Sequence, residues 1–288
     1  MSLTARREGE GPLAIVCGAG SLPLAVADRV AASGRRVLLF PLHGAARPED
    51  YAGRAHRFVR LVKIGPVLRD ARAAGCRDMV LIGSLVRPAL WQLRFDWATL
   101  KLAPRALVAY RGGDDHLLST ASKLVEQFGF RLLGAHEVAP EILVPKGALG
   151  GVTPSEGDCD DIAFGLAYLR AAGPFDIGQA VVVAGRHVLA VEAAEGTDGM
   201  LARVAELRAN GRIRTPGGVL VKAPKPQQDR RFDLPSIGPI TVEGAANAGL
   251  AGIAALAGET IMAEPAALVA TADRAGLFVV GMPEEASA

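Results

Sequence analysis

The segment 222–235 combines residue types that could act on a pyrophosphate. Within fourteen residues it carries three prolines, two acids and four cations, the cations being Lys222, Lys225, Arg230 and Arg231. Proline removes backbone donors and stiffens the chain, so the segment is predicted to be a rigid loop and not a helix. Its cations could neutralise phosphate oxygens in the transition state, while Asp229 or Asp233 positions or deprotonates water. The alternative is a solvated loop whose surface ion pairs contribute little.

A second polar run directly follows an apolar strand and precedes a predicted helix. It gathers three acids, a glycine and a threonine, namely Glu192, Glu195, Gly196, Thr197 and Asp198. Thr197 or Asp198 is expected to cap the helix. Scaffolding alone does not explain so much polarity at one strand end, so the run is a candidate for substrate binding. Carboxylate oxygens suit a hard cation, and the candidate metal ligands are Asp229, Asp198 and Glu195.

The glycine turn after the first predicted strand could bring backbone N–H groups close to a phosphate or a ribose at a helix N-terminus. It contributes four candidate substrate contacts: Gly18, Gly20, Ser21 and Leu22. A dinucleotide fingerprint is disfavoured, because Pro23 replaces the third glycine and no acid follows the second strand to hold a ribose hydroxyl. The alternative is a tight strand-to-helix turn without a ligand.

Further candidates lie at the carboxyl ends of predicted strands, where open α/β sheets bind their ligands. These are Gly83, Ser84, Asp114 and Asp115. An aspartate before a helix is equally an ordinary N-cap, and both interpretations stay open for Asp114 and Asp115. Asp158, Asp160 and Asp161 pose the same choice between a hard-cation site and a first helical turn. For Asp158 we favour capping.

Alternating strand and helix patterns must position these groups. In the first half the predicted strands are 13–17, 36–42, 79–82, 106–110 and 131–135, and the predicted helices are 22–33, 64–74 and 114–128. This alternation predicts a Rossmann-like, mostly parallel sheet with helices on both faces. In the second half, helices are predicted at 158–172, 197–209, 245–257 and 265–275, and strands at 179–184, 188–192, 219–221 and 277–280. The turn at 185–187 indicates an antiparallel hairpin, so this half is expected to be a mixed α/β domain.

The glycine-rich segment 147–157 is the predicted linker between an N-terminal domain, 1–146, and a C-terminal catalytic domain, 158–288. Candidate polar groups lie in both halves. Because ligand sites commonly lie at domain interfaces, the substrate is expected between the two domains. The linker glycines would then permit the domains to reorient around it.

Composition narrows the classes of protein further. Hydrophobic residues make up 50% of the chain, yet no run of about eighteen uncharged apolar residues occurs, so no membrane span is expected. The first eleven residues lack the apolar core of a secretory signal. Three scattered cysteines fit a reducing compartment, with Cys17 and Cys76 expected in the core. A net charge of +2 and 5% aromatic residues disfavour nucleic-acid binding.

With these motifs, the chain resembles the LpxI-type UDP-2,3-diacylglucosamine pyrophosphatases of the lipid A pathway. The resemblance covers nearly the whole chain and is carried by 18–23, 112–118, 151–155, 179–183, 192–198, 222–238 and Thr241. Through it, Gly151, Thr153 and Gln179 join the candidate substrate contacts. The resemblance implies a two-domain enzyme that releases UMP and 2,3-diacylglucosamine 1-phosphate (lipid X) after water attacks the phosphorus nearer the sugar.

The resemblance also implies a divalent metal, usually magnesium, with manganese as a substitute. It implies work in the cytoplasm at the inner membrane of a Gram-negative bacterium, with peripheral contact to that membrane. Asp229 falls in the family's Gln-Asp-Arg stretch and takes the role of the catalytic acid. The rest of the candidate catalytic set is Lys222, Lys225, Arg231 and Asp233. The oligomeric state stays open, with a homodimer among the alternatives.

Two rival functions compete with this interpretation. A nicotinamide oxidoreductase is disfavoured by the missing acid after the second strand. A non-catalytic carrier of a nucleotide or lipid would need cations for phosphate but no acid poised beside water. Replacement of Asp229 therefore discriminates between a carrier and a hydrolase.

Overall fold

The computed structural model describes residues 11–60, 64–83, 125–226, 228–231 and 234–283. Contacts divide the chain into two compact units. The first comprises Met1–Pro140 with Asp229–Phe232, and the second comprises Glu141–Gln228 with Asp233–Ala288. The chain therefore leaves the second unit for four residues within the segment 222–235 and then returns to it.

The first unit is built on a four-stranded parallel sheet. Its elements are β1 (Leu13–Cys17), α1 (Leu22–Ala32), β2 (Val37–Pro41), α2 (Ile64–Ala73), β3 (Asp78–Ile82), β4 (Arg131–Leu133) and α3 (Ala135–Val138). The strand order is β2-β1-β3-β4, and every neighbouring pair is parallel. The predicted parallel sheet is confirmed. The predicted elements 106–110 and most of 114–128 lie outside the described residues.

This strand order creates a natural place for a ligand. The chain passes from β1 outward to β2 and then to the opposite side of β1, so the order reverses between β1 and β3. Ligands of open α/β sheets bind at such a reversal, beyond the carboxyl ends of the strands. Among the described residues of this unit, those directly after β1 and β3 are therefore well placed to contact a ligand.

The apolar residues from which the strands of the first unit were predicted form its buried interior. Leu13, Ala14 and Ile15 have 0% exposed surface, because parallel strands covered on both faces bury nearly every side chain. Cys17 and Cys76 are buried as expected, and burial raises the pKa of the Cys17 thiol to about 12. Cys17 is therefore an uncharged core residue and not a nucleophile.

The second unit contains a six-stranded mixed sheet. Its strands are β5 (Gly147–Ala148), β6 (Ala180–Ala184), β7 (His187–Val191), β8 (Val219–Lys222), β10 (Gly252–Leu256) and β12 (Phe278–Met282). Two short strands, β9 (Ser236–Ile237) and β11 (Ile261–Met262), form a separate parallel pair. The helices are α4 (Glu156–Ala172), α5 (Gly196–Ala209), α6 (Pro239–Asn247) and α7 (Pro265–Ala275).

The order of the large sheet is β5-β12-β10-β8-β6-β7. The three central strands β12, β10 and β8 are parallel, and the remaining pairings are antiparallel. The predicted mixed α/β architecture and the β6–β7 hairpin are both confirmed. Because β8 and β10 are central and parallel, their carboxyl ends meet at one edge of the sheet.

Two of the acids considered as cation ligands belong to the scaffold. Asp158 Oδ2 accepts the backbone N–H of Ser155 at 2.9 Å, and the Ser155 hydroxyl accepts the N–H of Asp158 at 3.2 Å. This is the reciprocal cap expected at the start of α4. Asp161 is buried and accepts backbone N–H groups from Gly185 at 3.0 Å and Arg186 at 2.6 Å. It thereby fixes the β6–β7 turn, where Arg186 has a φ of 59°.

The predicted helix 245–257 is wrong. The chain ends α6 at Asn247, turns through Gly249 at a φ of +65°, and then enters β10. Alanine favours a helix in isolation, but this preference is weak. All five residues of β10 are buried at the middle of the sheet, and that packing outweighs the local preference.

Two further details concern the predicted linker and the start of α5. In the predicted linker, Gly147 and Ala148 pair with β12, and Gly151 N donates to Asp273 Oδ1 at 2.8 Å, so this segment is tied to the second unit. At α5 the N-cap position belongs to Glu195, without a side-chain cap. Thr197 does not cap the helix, because its hydroxyl donates to Glu192.

Among the helices of the described residues, none is long and apolar enough to cross a membrane.

Candidate functional site

Hydrogen bonds link five residues at one edge of the large sheet in the second unit. Lys222 Nζ donates to Thr197 Oγ1 at 2.9 Å and to the Ser236 carbonyl at 3.0 Å. Thr197 in turn donates to Glu192 Oε1 at 2.6 Å. Glu192 Oε2 accepts the backbone N–H of Gln179 at 2.7 Å. We name these five residues the Lys222 network. Four of them were predicted site residues that are far apart in the sequence.

The register of the sheet explains this convergence. Lys222 ends β8 and lies between Ala180 of β6 and Ala255 of β10. Glu192 follows β7, and its backbone N–H donates to the Ala180 carbonyl at 3.0 Å. Gly196 then begins α5 with a φ of +72°, a conformation that favours glycine. This turn brings the first residues of α5 back to the strand ends.

The Lys222 network is largely buried. Lys222 is only 5% exposed, and Glu192 and Thr197 are half-buried. Packing around Glu192 is tight, since a Cβ on Gly178 would lie 2.6 Å from Glu192 Cβ. A charge held rigidly in such surroundings interacts strongly with charge that develops nearby. The network therefore holds the Lys222 ammonium group in a fixed position.

A second cluster lies in the first unit and consists of Asp229, Arg231 and Glu126, which we name the Asp229 clamp. Arg231 Nη2 donates to Asp229 Oδ2 at 2.7 Å, and Arg231 Nε donates to Oδ1 at 3.0 Å. The backbone N–H of Arg231 adds a third bond to Oδ1 at 3.1 Å. Arg231 Nη1 donates to Glu126 Oε1 at 2.8 Å. Paired contacts of this kind fix a carboxylate in the plane of the guanidinium group.

The clamp keeps Asp229 ionised. Hydrogen bonding by the Arg231 guanidinium lowers the pKa of the Asp229 carboxyl, against the opposing effect of partial burial. A carboxylate with a lowered pKa is a weaker base. Asp229 is therefore better suited to orienting a water molecule or a cation than to taking up a proton. Its side chain is 38% exposed, so a ligand can reach it.

The predicted glycine turn lies at the reversal between β1 and β3. Gly18 N donates to the Ile82 carbonyl at 2.8 Å. Gly83 has a φ of +103°, and a Cβ there would lie 2.9 Å from the carbonyl carbon of Gly18. Gly20 is exposed at a φ of +98°, and Ser21 forms the N-cap of α1. The structure thus brings four predicted substrate contacts to the edge where ligands of such sheets bind.

The other predicted site residues are dispersed. Lys225 Nζ donates to Asp176 Oδ1 at 2.5 Å. Leu22 is the first residue of α1. Gly151 is bonded to Asp273, as described above, and Thr153 is exposed before α4. Four candidates lie outside the described residues: Ser84, Asp114, Asp115 and Asp233.

The candidate metal ligands do not form a preassembled site. Glu195 accepts Arg203 Nη2 at 2.6 Å, and Asp229 is bonded to Arg231. Within the described ranges, no group of three or more His, Cys, Asp or Glu residues is arranged to hold a metal ion. A divalent cation at Asp229 or Glu195 would therefore have to compete with the paired arginine.

Sequence reasoning missed three residues of these clusters and their surroundings. Glu126 lies in a predicted helix without a motif, and Ser236 contributes a backbone carbonyl that no residue-type pattern reveals. His136 lies just beyond β4, beside Arg231. Its position after the carboxyl end of a strand is the signal that singled out Gly83, and the same signal could have identified it.

Both halves of the chain match known protein domains. The model of the LpxI N-terminal domain matches residues 12–142, and that of the LpxI C-terminal domain matches residues 145–280. The UDP-2,3-diacylglucosamine pyrophosphatase LpxI of Caulobacter vibrioides is 42% identical over 278 residues, which cover 95% of this chain and 98% of that protein.

A solved structure was also matched. It is the UDP-glucose 4-epimerase of Thermus thermophilus in complex with NAD, aligned over 94% of this chain and 86% of that chain. At a TM-score of 0.31 and 17% identity, this likeness has no bearing on the fold or the function. The two domain models, by contrast, account for nearly all of the sequence. The chain therefore belongs to the LpxI family.

Proposed function

We propose that this protein hydrolyses the diphosphate of UDP-2,3-diacylglucosamine to UMP and 2,3-diacylglucosamine 1-phosphate. The observation that carries the proposal is the Asp229 clamp, in which an accessible carboxylate is held ionised by Arg231. Support also comes from the 42% identity to a relative that is named for this substrate. A carrier would have no use for an oriented carboxylate beside its phosphate cations.

In the proposed reaction, the oxygen of water forms a bond to the phosphorus nearer the sugar. The bond from that phosphorus to the bridging oxygen breaks, and the bridging oxygen leaves with UMP. Asp229 orients the water through its carboxylate, and the proton that the water loses passes to solvent. Arg230 and Arg231 offset the charge that develops on the phosphoryl oxygens.

The second unit contributes a different kind of group. Lys222 supplies a fixed positive charge, and Thr197 and Glu192 hold it in place through the bonds described above. Because the network is formed before any ligand binds, little reorganisation is needed when phosphate charge develops. The turn at Gly18 and Gly20 supplies backbone close enough to contact a phosphate or a ribose.

The proposal extends to the setting of the reaction. A substrate with two acyl chains resides in a membrane, so we propose that the protein works in the cytoplasm of a Gram-negative bacterium, in peripheral contact with the inner membrane. Magnesium, or manganese in its place, is proposed as an assisting cation, and this part rests on the family resemblance alone.

The decisive experiment is hydrolysis in water enriched in oxygen-18. Purified protein is incubated with UDP-2,3-diacylglucosamine and magnesium, and both products are identified by mass spectrometry. Attack at the phosphorus nearer the sugar places the label in the sugar phosphate, and attack at the other phosphorus places it in UMP. We expect labelled 2,3-diacylglucosamine 1-phosphate. Binding of the substrate without any product would instead identify a carrier.

A further inference from the structure

His136 lies near the backbone of Arg231, a member of the Asp229 clamp. It belongs to α3, which directly follows β4 and Gly134. A Cβ placed on Gly134 would lie 2.3 Å from His136 Cε1, 2.6 Å from His136 Nδ1 and 3.2 Å from Arg231 Cα. The imidazole and the backbone of Arg231 therefore surround the same point. Only glycine at position 134 leaves room for this arrangement.

The surroundings of the ring determine where its proton lies. Nδ1 is buried and has no hydrogen-bond partner among the described residues. A proton on Nδ1 would thus be a buried donor without an acceptor, which is unfavourable. The favoured tautomer carries its proton on Nε2.

The surroundings of the ring also favour its neutral form. Burial lowers the pKa of His136, the charge of Arg230 lowers it further, and Glu137 opposes both. Glu137 is itself engaged, since its Oε2 accepts the backbone N–H of Gly134 at 2.6 Å. A neutral imidazole can donate a hydrogen bond to an anion without exchanging a proton with it.

We propose that His136 is a further substrate-binding residue, whose Nε2–H donates to an anionic oxygen of the diphosphate beside Asp229. This inference rests on the proposed function for the identity of the diphosphate. Arg230 and Arg231 supply charge at this place, and His136 supplies a directed, uncharged donor. An anion attracted by the arginines is thereby oriented relative to the water held by Asp229.

Three substitutions test the position of the donor. In His136→Gln the side-chain amide reaches about as far as Nε2, whereas in His136→Asn it reaches only about as far as Nδ1, and His136→Ala has no donor. We expect His136→Ala and His136→Asn to lower kcat/KM about 10- to 100-fold, and His136→Gln to remain within about threefold of the parent. Thermal unfolding of each variant separates this effect from loss of the fold.

Calorimetric titration with UDP separates this inference from the proposed function. UDP carries the diphosphate, and its binding does not require hydrolysis. Weaker UDP binding by the Ala and Asn variants, with retention by Gln, supports the donor even if the lipid nucleotide is not turned over. Equal affinity in all variants, equal loss in all three, or no UDP binding by the parent protein overturns it.

Discussion

The Lys222 network and the Asp229 clamp are both charged, but they are built in opposite ways. Lys222 is 5% exposed, and its bonds join β8 to α5 and to β9 of the second unit. Asp229 is 38% exposed at its side chain, and most of its bonds come from a residue two positions away. One cluster depends on the whole sheet, whereas the other depends chiefly on a short local contact.

This difference separates two roles that charged residues play in a site. A buried network is part of the scaffold, because removing one member leaves its partners without hydrogen bonds in a low-dielectric interior. An exposed ion pair contributes little to stability. We expect changes in the network to affect stability and activity together, and changes in the clamp to affect activity alone.

The largest effect is expected for Asp229→Ala. Loss of the carboxylate that orients water should reduce kcat about 100- to 10,000-fold, because the barrier rises while the cations that hold the substrate remain. Substrate binding and the urea midpoint should stay close to those of the parent. Steady-state kinetics, calorimetric binding and urea unfolding measure the three quantities.

Asp229→Asn is the matched control for this substitution. It keeps the size and the hydrogen-bonding shape of the side chain but removes the charge. Activity close to that of the parent in Asp229→Asn would show that the charge is dispensable. Turnover within a few-fold of the parent in Asp229→Ala would remove Asp229 from the mechanism altogether.

Removal of divalent metal tests whether turnover requires a cation bound by the exposed acids. Excess chelator should lower turnover about 100-fold or more, and magnesium or manganese should restore it. Because Asp229 and Glu195 are already paired with arginines, the urea midpoint should not change. Full activity in chelator would leave lysine and arginine as the only charge stabilisers. A large loss of stability would show that the ion belongs to the scaffold.

Substitution of Lys222 by methionine tests the Lys222 network. We expect a loss of about 1–3 kcal/mol in the free energy of unfolding, since Thr197 and the Ser236 carbonyl lose a buried donor. The fixed charge is also lost, and kcat/KM should fall about 10- to 100-fold. Urea unfolding and steady-state kinetics on the same preparation show whether the two losses occur together.

Thr197→Val is the partner experiment for Lys222→Met. It preserves shape and removes the hydroxyl that joins Lys222 to Glu192, while both charged groups remain. Stability should fall by a similar amount, but activity should fall less than in Lys222→Met. Equal activity losses would mean that the geometry of the network matters and the charge of Lys222 does not.

Much of this molecule follows from sequence patterns, and the exceptions have physical causes. The parallel sheet, the hairpin and the cap at Asp158 were predicted, because each depends on local spacing or on short-range bonds. The helix expected at 245–257 failed because burial at the centre of a sheet decided the outcome, and no local pattern reports that. The convergence of Gln179, Glu192, Thr197 and Lys222 depends on strand order, which neighbouring residues do not encode.

The Asp229 clamp also contains a contact that local sequence patterns do not reveal. Asp229 and Arg231 were identified because charge and proline are concentrated around them. Their third partner, Glu126, is more than a hundred positions away in sequence and belongs to the same unit only because the chain returns to it at 229–232. The concentration of charged residues and prolines therefore identified Asp229 and Arg231, which are close in sequence. It did not identify Glu126, whose contact with Arg231 depends on the fold of the chain.

The contrast between packed and exposed positions extends to the glycine turn, where the smallest effects are expected. Gly83 and Gly20 both have a positive φ, +103° and +98°. A Cβ on Gly83 would lie 2.8 Å from the Ala19 carbonyl oxygen, whereas a Cβ on Gly20 would meet nothing within 4 Å.

Gly83→Ala therefore incurs both backbone strain and a backbone clash, about 2–4 kcal/mol together. Gly20→Ala incurs the strain alone, about 1–2 kcal/mol. Because Gly20 is exposed where a ligand is expected, its substitution should also raise KM. Urea unfolding and kinetics on the two variants decide the matter, and equal destabilisation would show that the contact between these two loops does not constrain the fold.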